Sequence, residues 1–346
     1  MILSHRASGA ALGALLLAAP VAAGAAAVPT NLPGVTAKVG VPAGFDALAA
    51  SPEALEANGF PPRPDAAADP QGFASWKRAV TAGTRRVVPK LTQTDIQHHP
   101  LHRLGRRDDT DYSNNWSGYV LLNQATAYGS KSWYYIIGDY TVPVAQQAFG
   151  ACTGSYDYSS TWVGIDGYDN GDVLQAGTEA DADCSGGTTT PFYAAWYEWY
   201  PYDEVRIDSF PVGPGDAMYV EVWSTSATAG EAYVVNYSTN QSTSIGFSAP
   251  AGTTLVGNSA EWIVERPGVN GGLATLTNYV QDFFEDATAA NFKSAAGYPG
   301  KPGKNVTSTQ VVMQDNNGTN ISYPNLLGTS GLWFYDAESA LYSGDP

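Results

Sequence analysis

The chain reads as an all-β protein, two packed antiparallel sheets behind a leader and a basic N-terminal segment. Three observations predict this: dense β-branched and aromatic runs beyond residue 107, regular Gly, Pro, Asn and Asp punctuation between them, and an abrupt change of charge at that point. Candidate strands are Ser132–Val142, Thr161–Ile165, Val173–Gly177, Phe192–Tyr200, Ala217–Ser224, Ala232–Ser238, Ala260–Glu265, Thr275–Phe284, Gln310–Met313 and Leu332–Tyr335. No amphipathic helix competes with them and no fixed repeat is present. So many closely spaced strands bury one core best as two stacked sheets.

Ahead of them, His5 and Arg6 precede an uncharged Ala- and Leu-rich stretch from Ala7 to Ala27 that holds Ala23-Gly24-Ala25. This predicts a cleaved signal peptide over 1–27 and export to the extracellular space. A membrane anchor is the alternative, but the apolar centre is short and Pro20 interrupts it. Residues 28–107 are rich in Ala and Pro and end in the basic run His98-His99-Pro100-Leu101-His102-Arg103-Leu104-Gly105-Arg106-Arg107. The junction of a pro-segment (28–107) with a mature domain (108–346) is expected there.

Charge sharpens that boundary. Of 17 Lys and Arg, 11 lie in residues 1–107, against 6 of the 33 Asp and Glu; the two parts carry +5 (11 − 6) and −21 (6 − 27) and should attract. So acidic a mature part argues against nucleic acid, which needs a basic surface. It also suits an acidic workplace, where protonated carboxylates leave little self-repulsion, although acidic surfaces also serve plain solubility. Cys152 and Cys184 are expected to form one disulfide, contributing roughly 3–4 kcal/mol for a loop of about 30 residues.

The absences narrow the chemistry. All four histidines (His5, His98, His99, His102) precede the junction, so the mature part holds no Ser-His-Asp, Cys-His or HExxH site. No Asp is followed by Thr-Gly or Ser-Gly, which excludes the paired loops of aspartic peptidases, and Gly328-Thr329-Ser330 reads as a turn before the last strand. Carboxylate and amide chemistry remains: one group to deprotonate water, another to hold an oxyanion. On the run Phe192–Tyr200, alternation puts Ala194, Trp196, Glu198 and Tyr200 on one face, a carboxylate among aromatics that suggests a groove.

Four segments then line up in order: Asn115-Trp116-Ser117-Gly118-Tyr119-Val120; Trp162-Val163-Gly164-Ile165-Asp166-Gly167 leading to Leu174-Gln175-Ala176-Gly177; Ala195-Trp196-Tyr197-Glu198-Trp199-Tyr200-Pro201; and Ala260-Glu261-Trp262-Ile263-Val264-Glu265. Together they resemble the glutamic peptidases, the eqolisins, from about Asn114 to Glu265. The resemblance implies a β-sandwich of concanavalin A-like or jelly-roll type with a cleft across one concave face. It implies Gln175 and Glu261 as the catalytic pair of a secreted acid endopeptidase, and Trp116, Asp166, Trp196 and Glu198 as residues that line or support the site. Glu261 would take a proton from the attacking water and return it to the leaving amine, while the Gln175 amide donates to the oxyanion. Ala194 and Glu179 stand where the family pattern carries Asp, departures that bear on the hydrogen bonds around the pair.

Spacing alone leaves Glu261 and Glu265 equivalent, since four residues apart on a strand they share a face. The same reading expects a monomer without cofactor or metal, with no nucleic acid or membrane partner. Its partners would be polypeptide substrates and its own pro-segment, an intramolecular inhibitor held by charge and released in acid. A different class, a β-sandwich that binds or cleaves glycans with Trp platforms and paired carboxylates such as Glu198 and Glu261, is the alternative. It lacks the Glu-x-Asp-x-Glu strand motif and has no use for a removable basic segment.

Overall fold

The structure, a computed structural model, describes residues 25–148, 152 and 154–337. The expected leader falls almost entirely outside them. Strands of six or more residues all lie beyond residue 107: β1 Trp116–Leu122, β2 Trp133–Thr141, β3 Ser160–Ile165, β4 Val173–Ser185, β5 Thr188–Tyr200, β6 Ala217–Ser226, β7 Ala229–Asn236, β8 Gln241–Ser248, β9 Ser259–Glu265, β10 Gln281–Asn291, β11 Thr307–Gln314, β12 Asn320–Leu327 and β13 Gly331–Asp336.

They form two antiparallel layers. In the first the order is β11–β1–β9–β3–β4–β5, extended by Val205–Ile207 and then by Leu91–Gln93 of the N-terminal segment. In the second it is β8–β7–β6–β2–β10–β13–β12, and β12 pairs with β11 to join the layers. The alternation of each strand sorts its residues. Val163, Ile165, Leu174, Ala176, Ala260, Trp262 and Val264 point inward onto Ile136, Tyr140, Met218, Val220, Val222, Val234 and Phe284 of the other layer. Gly138 is required at the closest approach, because a Cβ there would lie 2.7 Å from both Phe284 and Val163.

Departures from expectation have local causes. β4 runs eight residues past Gly177 because each position pairs with β5 across the hairpin closed at Gly186–Gly187, whose φ values of 59° and 81° suit the tight turn. Tertiary pairing there overrides the weak strand preference of Glu179-Ala180-Asp181-Ala182-Asp183. β10 starts only at Gln281, since the chain turns at Val280 (φ 62°). β1, β8 and β12 are absent from the expected strands: β1 is interrupted by Ser117-Gly118, β8 is mostly Ser, Thr and Gly, and β12 contains Pro324, placed where pairing to β11 has ended. Gly328–Ser330 is the expected turn. The expected disulfide is present, Cys152 to Cys184 with Cα atoms 5.4 Å apart, tying a loop to the far end of β4.

The N-terminal segment is folded onto both outer faces. Two helices, α1 Pro52–Ala57 and α2 Pro70–Thr81, lie against the second layer; Ser51 and Asp69 cap them, and proline occupies the first turn of each. Leu55, Phe60, Trp76 and Ala79 pack on Tyr135, Ile137, Tyr219, Trp223, Tyr233 and Val235. The stretch 96–101 then crosses the outer face of the first layer. Arg103–Arg107 and Thr110–Ser113 form a hairpin whose tip, Asp108–Asp109, is exposed, so the expected junction lies on an accessible turn.

Candidate active site

Strand register brings the candidate residues together. Gly164 on β3 is opposite Gln175 on β4 on one side and Glu261 on β9 on the other, and Gln175 is in turn opposite Glu198 on β5. Glu198, Gln175 and Glu261 thus stand in one row on the outer face, with only a glycine between the last two. A Cβ at 164 would lie 2.8 Å from the Trp162 ring and 3.3 Å from Gln175 Cβ, so the absent side chain keeps the gap open. Four residues along, Glu179, Ser160 and Glu265 form a parallel row.

Register separates the two glutamates that spacing could not. Glu265 is engaged, accepting from Trp162 Nε1 at 2.8 Å and lying 3.1 Å from His98 Nδ1. Glu261 is fully buried; neither carboxylate oxygen makes a well-formed hydrogen bond, and the neighbouring Ser259 hydroxyl is the one side chain close enough to favour its charged form. Burial pushes its carboxyl well above the usual range, with the Asp166 charge adding to the shift. Asp166 itself, at φ 74°, accepts from the backbone N–H groups of Val256 (2.7 Å), Gly257 (2.9 Å) and Asn258 (2.9 Å). It therefore fixes the loop that leads into β9, close to Glu261 in sequence.

The remaining expected residues also meet here. Trp196 donates to Ser160 Oγ at 2.9 Å, and Trp116 lies edge-on to Trp162 with ring centres 5.0 Å apart. Gln175 Nε2 donates to the His98 carbonyl at 2.9 Å and to Glu198 at 3.3 Å. The stretch around His98 lies over this row. The His98 N–H faces both Glu198 oxygens (3.1 and 3.3 Å), the His99 carbonyl accepts from Trp116 Nε1 (3.0 Å), and Leu101 N–H reaches the Gly167 carbonyl (2.9 Å).

Sequence reasoning missed two members, Glu204 and His98. The absence of histidine after residue 102 is real, yet a histidine from the N-terminal segment fills the centre. Its ring stacks on Trp196 with centres 3.8 Å apart and planes 7° from parallel; Nδ1 meets Glu265, and Nε2 lies 3.1 Å from Glu179 and 3.3 Å from Glu204. Burial alone would lower this imidazole, but the three carboxylates hold its proton well above the usual range. Among the described residues, His98, Glu179 and Glu204 are also the set spaced closely enough to hold a metal ion. Both ring nitrogens face carboxylates, as in an imidazolium with two N–H donors, so the cation of this cluster is His98 itself.

A family profile described as the Peptidase A4 family matches residues 114–326. The chain belongs to that family. It is 30% identical over 235 residues to aspergillopepsin-2 of Aspergillus niger, covering 64% of this chain and 79% of that protein. It is 30% identical over 172 residues to scytalidopepsin B of Scytalidium lignicola, covering 49% and 58%. The crystal structure of scytalido-glutamic peptidase with a transition state analog inhibitor shares the fold, with a TM-score of 0.52 at 23% identity over 64% of this chain and 98% of that one. This peptidase of the A4 family is thus an eqolisin by sequence and by fold, a glutamic-type peptide hydrolase. Among its described residues no helix is long and apolar enough to cross a membrane.

Proposed function

We propose that the chain is the exported precursor of an acid-acting endopeptidase in which Gln175 and Glu261 carry the reaction and the basic segment 28–107 is a removable inhibitor. The observation that carries this reading is the row across Gly164: a buried carboxylate with no well-formed hydrogen bond on one side, and on the other an amide that already holds a backbone carbonyl at 2.9 Å. A substrate carbonyl placed where the His98 carbonyl now lies would be polarised by Gln175 Nε2. Water between it and Glu261 would lose its proton to the carboxylate, which then protonates the leaving amine.

The closed chain is inactive for two reasons under this scheme. The N-terminal segment occupies the peptide path, and burial disfavours the ionised form of Glu261 that a base requires. Removing the segment would admit water and relieve the burial that raises this carboxyl, favouring its ionised form in mild acid. Acid activity without a histidine base follows. The exposed turn at Asp108–Asp109 supports cleavage near residue 107.

The test is hydrolysis of a denatured protein at about pH 3–4 by acid-treated enzyme with an aspartic-peptidase inhibitor present. Gln175→Ala is expected to lose about 10²–10³-fold, the cost of an oxyanion donor, and Glu261→Ala to lose activity altogether. Full activity in either variant would remove that residue from the mechanism.

A further inference from the structure

The carbonyl that Gln175 Nε2 holds at 2.9 Å belongs to residue 98, and the N–H of the same residue faces Glu198 at 3.1 Å. The amide placed to polarise a scissile carbonyl therefore already grips one particular residue, and the side chain of that residue enters a pocket of its own. The buried ring lies on the Trp196 indole with centres 3.8 Å apart. Glu265 is 3.1 Å from Nδ1, and Glu179 and Glu204 are 3.1 and 3.3 Å from Nε2.

Every wall of this pocket comes from beyond residue 107: Glu179 from β4, Trp196 from β5, Glu204 from the stretch after β5 and Glu265 from β9. Trp196 donates to Ser160 Oγ at 2.9 Å and Trp162 donates to Glu265 at 2.8 Å, so the platform and one carboxylate are held by groups other than the ring they receive. Glu179 stands where the family pattern carries Asp. Its extra methylene brings the carboxylate to the ring, and aspartate on the same backbone would fall short by about one C–C bond, ~1.5 Å. Carboxylates that converge on one point repel one another unless a cation lies among them. A flat platform with acceptors at both ends suits an imidazolium best. A guanidinium also stacks and carries a fork of donors, a lysine has no plane to stack, and a phenyl ring has no charge.

We propose that this pocket selects the residue on the N-terminal side of the bond to be cut, and that the enzyme cleaves preferentially after histidine, then after arginine, ahead of lysine and of uncharged aromatic residues. The inference rests on the peptidase reading, because it takes the carbonyl held by Gln175 to mark the place of the scissile one. Trp196, Glu179, Glu204 and Glu265 set specificity, and the reaction stays with Gln175 and Glu261.

Competition in one tube tests this. Acid-treated enzyme receives an equimolar mixture of peptides that differ at a single position, His, Arg, Lys, Phe or Gln, at about pH 5, between the ordinary values of a carboxylate (~4.3) and an imidazole (~6.5), so that both are charged. Ratios of cleavage rates in such a mixture are ratios of kcat/KM, and they do not depend on how much of a variant is folded. The His peptide should be cut on the C-terminal side of His at least about 10-fold faster than the Phe and Gln peptides, the size expected for a charged hydrogen bond. Glu204→Gln/Glu265→Gln should bring the His to Phe ratio within about 2-fold of equality, and Glu179→Asp should lower it about 3-fold. Equal rates for His and Phe in the parent, a ratio unchanged in the double variant, or a preference for His at another distance from the cut overturns the subsite, while hydrolysis of the mixture still upholds the peptidase reading. Failure to hydrolyse any of the peptides removes that reading and the subsite with it.

Discussion

The two outer faces of the sandwich are covered by the same N-terminal segment through different chemistry. Over the second layer, α1 and α2 bury Leu55, Phe60 and Trp76 against a face of Tyr, Trp and Val side chains. Over the first, a short extended stretch places one imidazole among carboxylates and lends its backbone to Gln175, Glu198 and Trp116. Apolar burial has no titration and persists across pH, whereas a charge cluster depends on who holds the protons. The segment therefore combines an apolar clamp over one layer with a charged, hydrogen-bonded contact over the other.

Three substitutions would break or sharpen that contrast. The largest effect is expected from Trp76→Ala, which removes a fully buried side chain from the clamp and should cost about 3–5 kcal/mol of precursor stability in denaturant unfolding. It should leave the amide protection of 96–102 in place; lost protection there would mean that the two coverings act as one unit. Next, Gly164→Ala crowds the row between Gln175 and Glu261, and with a Cβ 2.8 Å from Trp162 it should cost about 1–3 kcal/mol and lower hydrolysis by more than that stability loss accounts for. Activity that simply tracks folded fraction would argue against a functional gap between Gln175 and Glu261.

The smallest effect is expected from Arg78→Ala on the clamp. Arg78 pairs with Asp139 at 2.8 Å and Asp286 at 3.2 Å, but its side chain is 47% exposed, so under about 1 kcal/mol should be lost, and less in high salt. Asp139, which also accepts from Ser75, is raised to about 7 by burial, the Arg78 charge opposing the shift. The pair thus adds its small part above that pH and loses it below. A loss in Arg78→Ala comparable to that of Trp76→Ala would show that charge, not burial, holds the clamp.

The sequence by itself determined which residues share a face and where most of the long strands run. Two-residue alternation placed Trp196 with Glu198, β-branched runs located most of the long strands, and the charge step at residue 107 lies beside the exposed turn Asp108–Asp109. The motif segments singled out Gln175 and Glu261. Tertiary structure decided what pairs with what. Only register across β4, β3 and β9 sets Glu261 opposite Gly164 and Gln175 while giving Glu265 to Trp162 and His98, and no local pattern encodes a contact between residues 98 and 265. A side chain's face follows from its own strand, but its partner follows from how distant strands and the N-terminal segment are brought together, and that is fixed by burial summed over the whole fold.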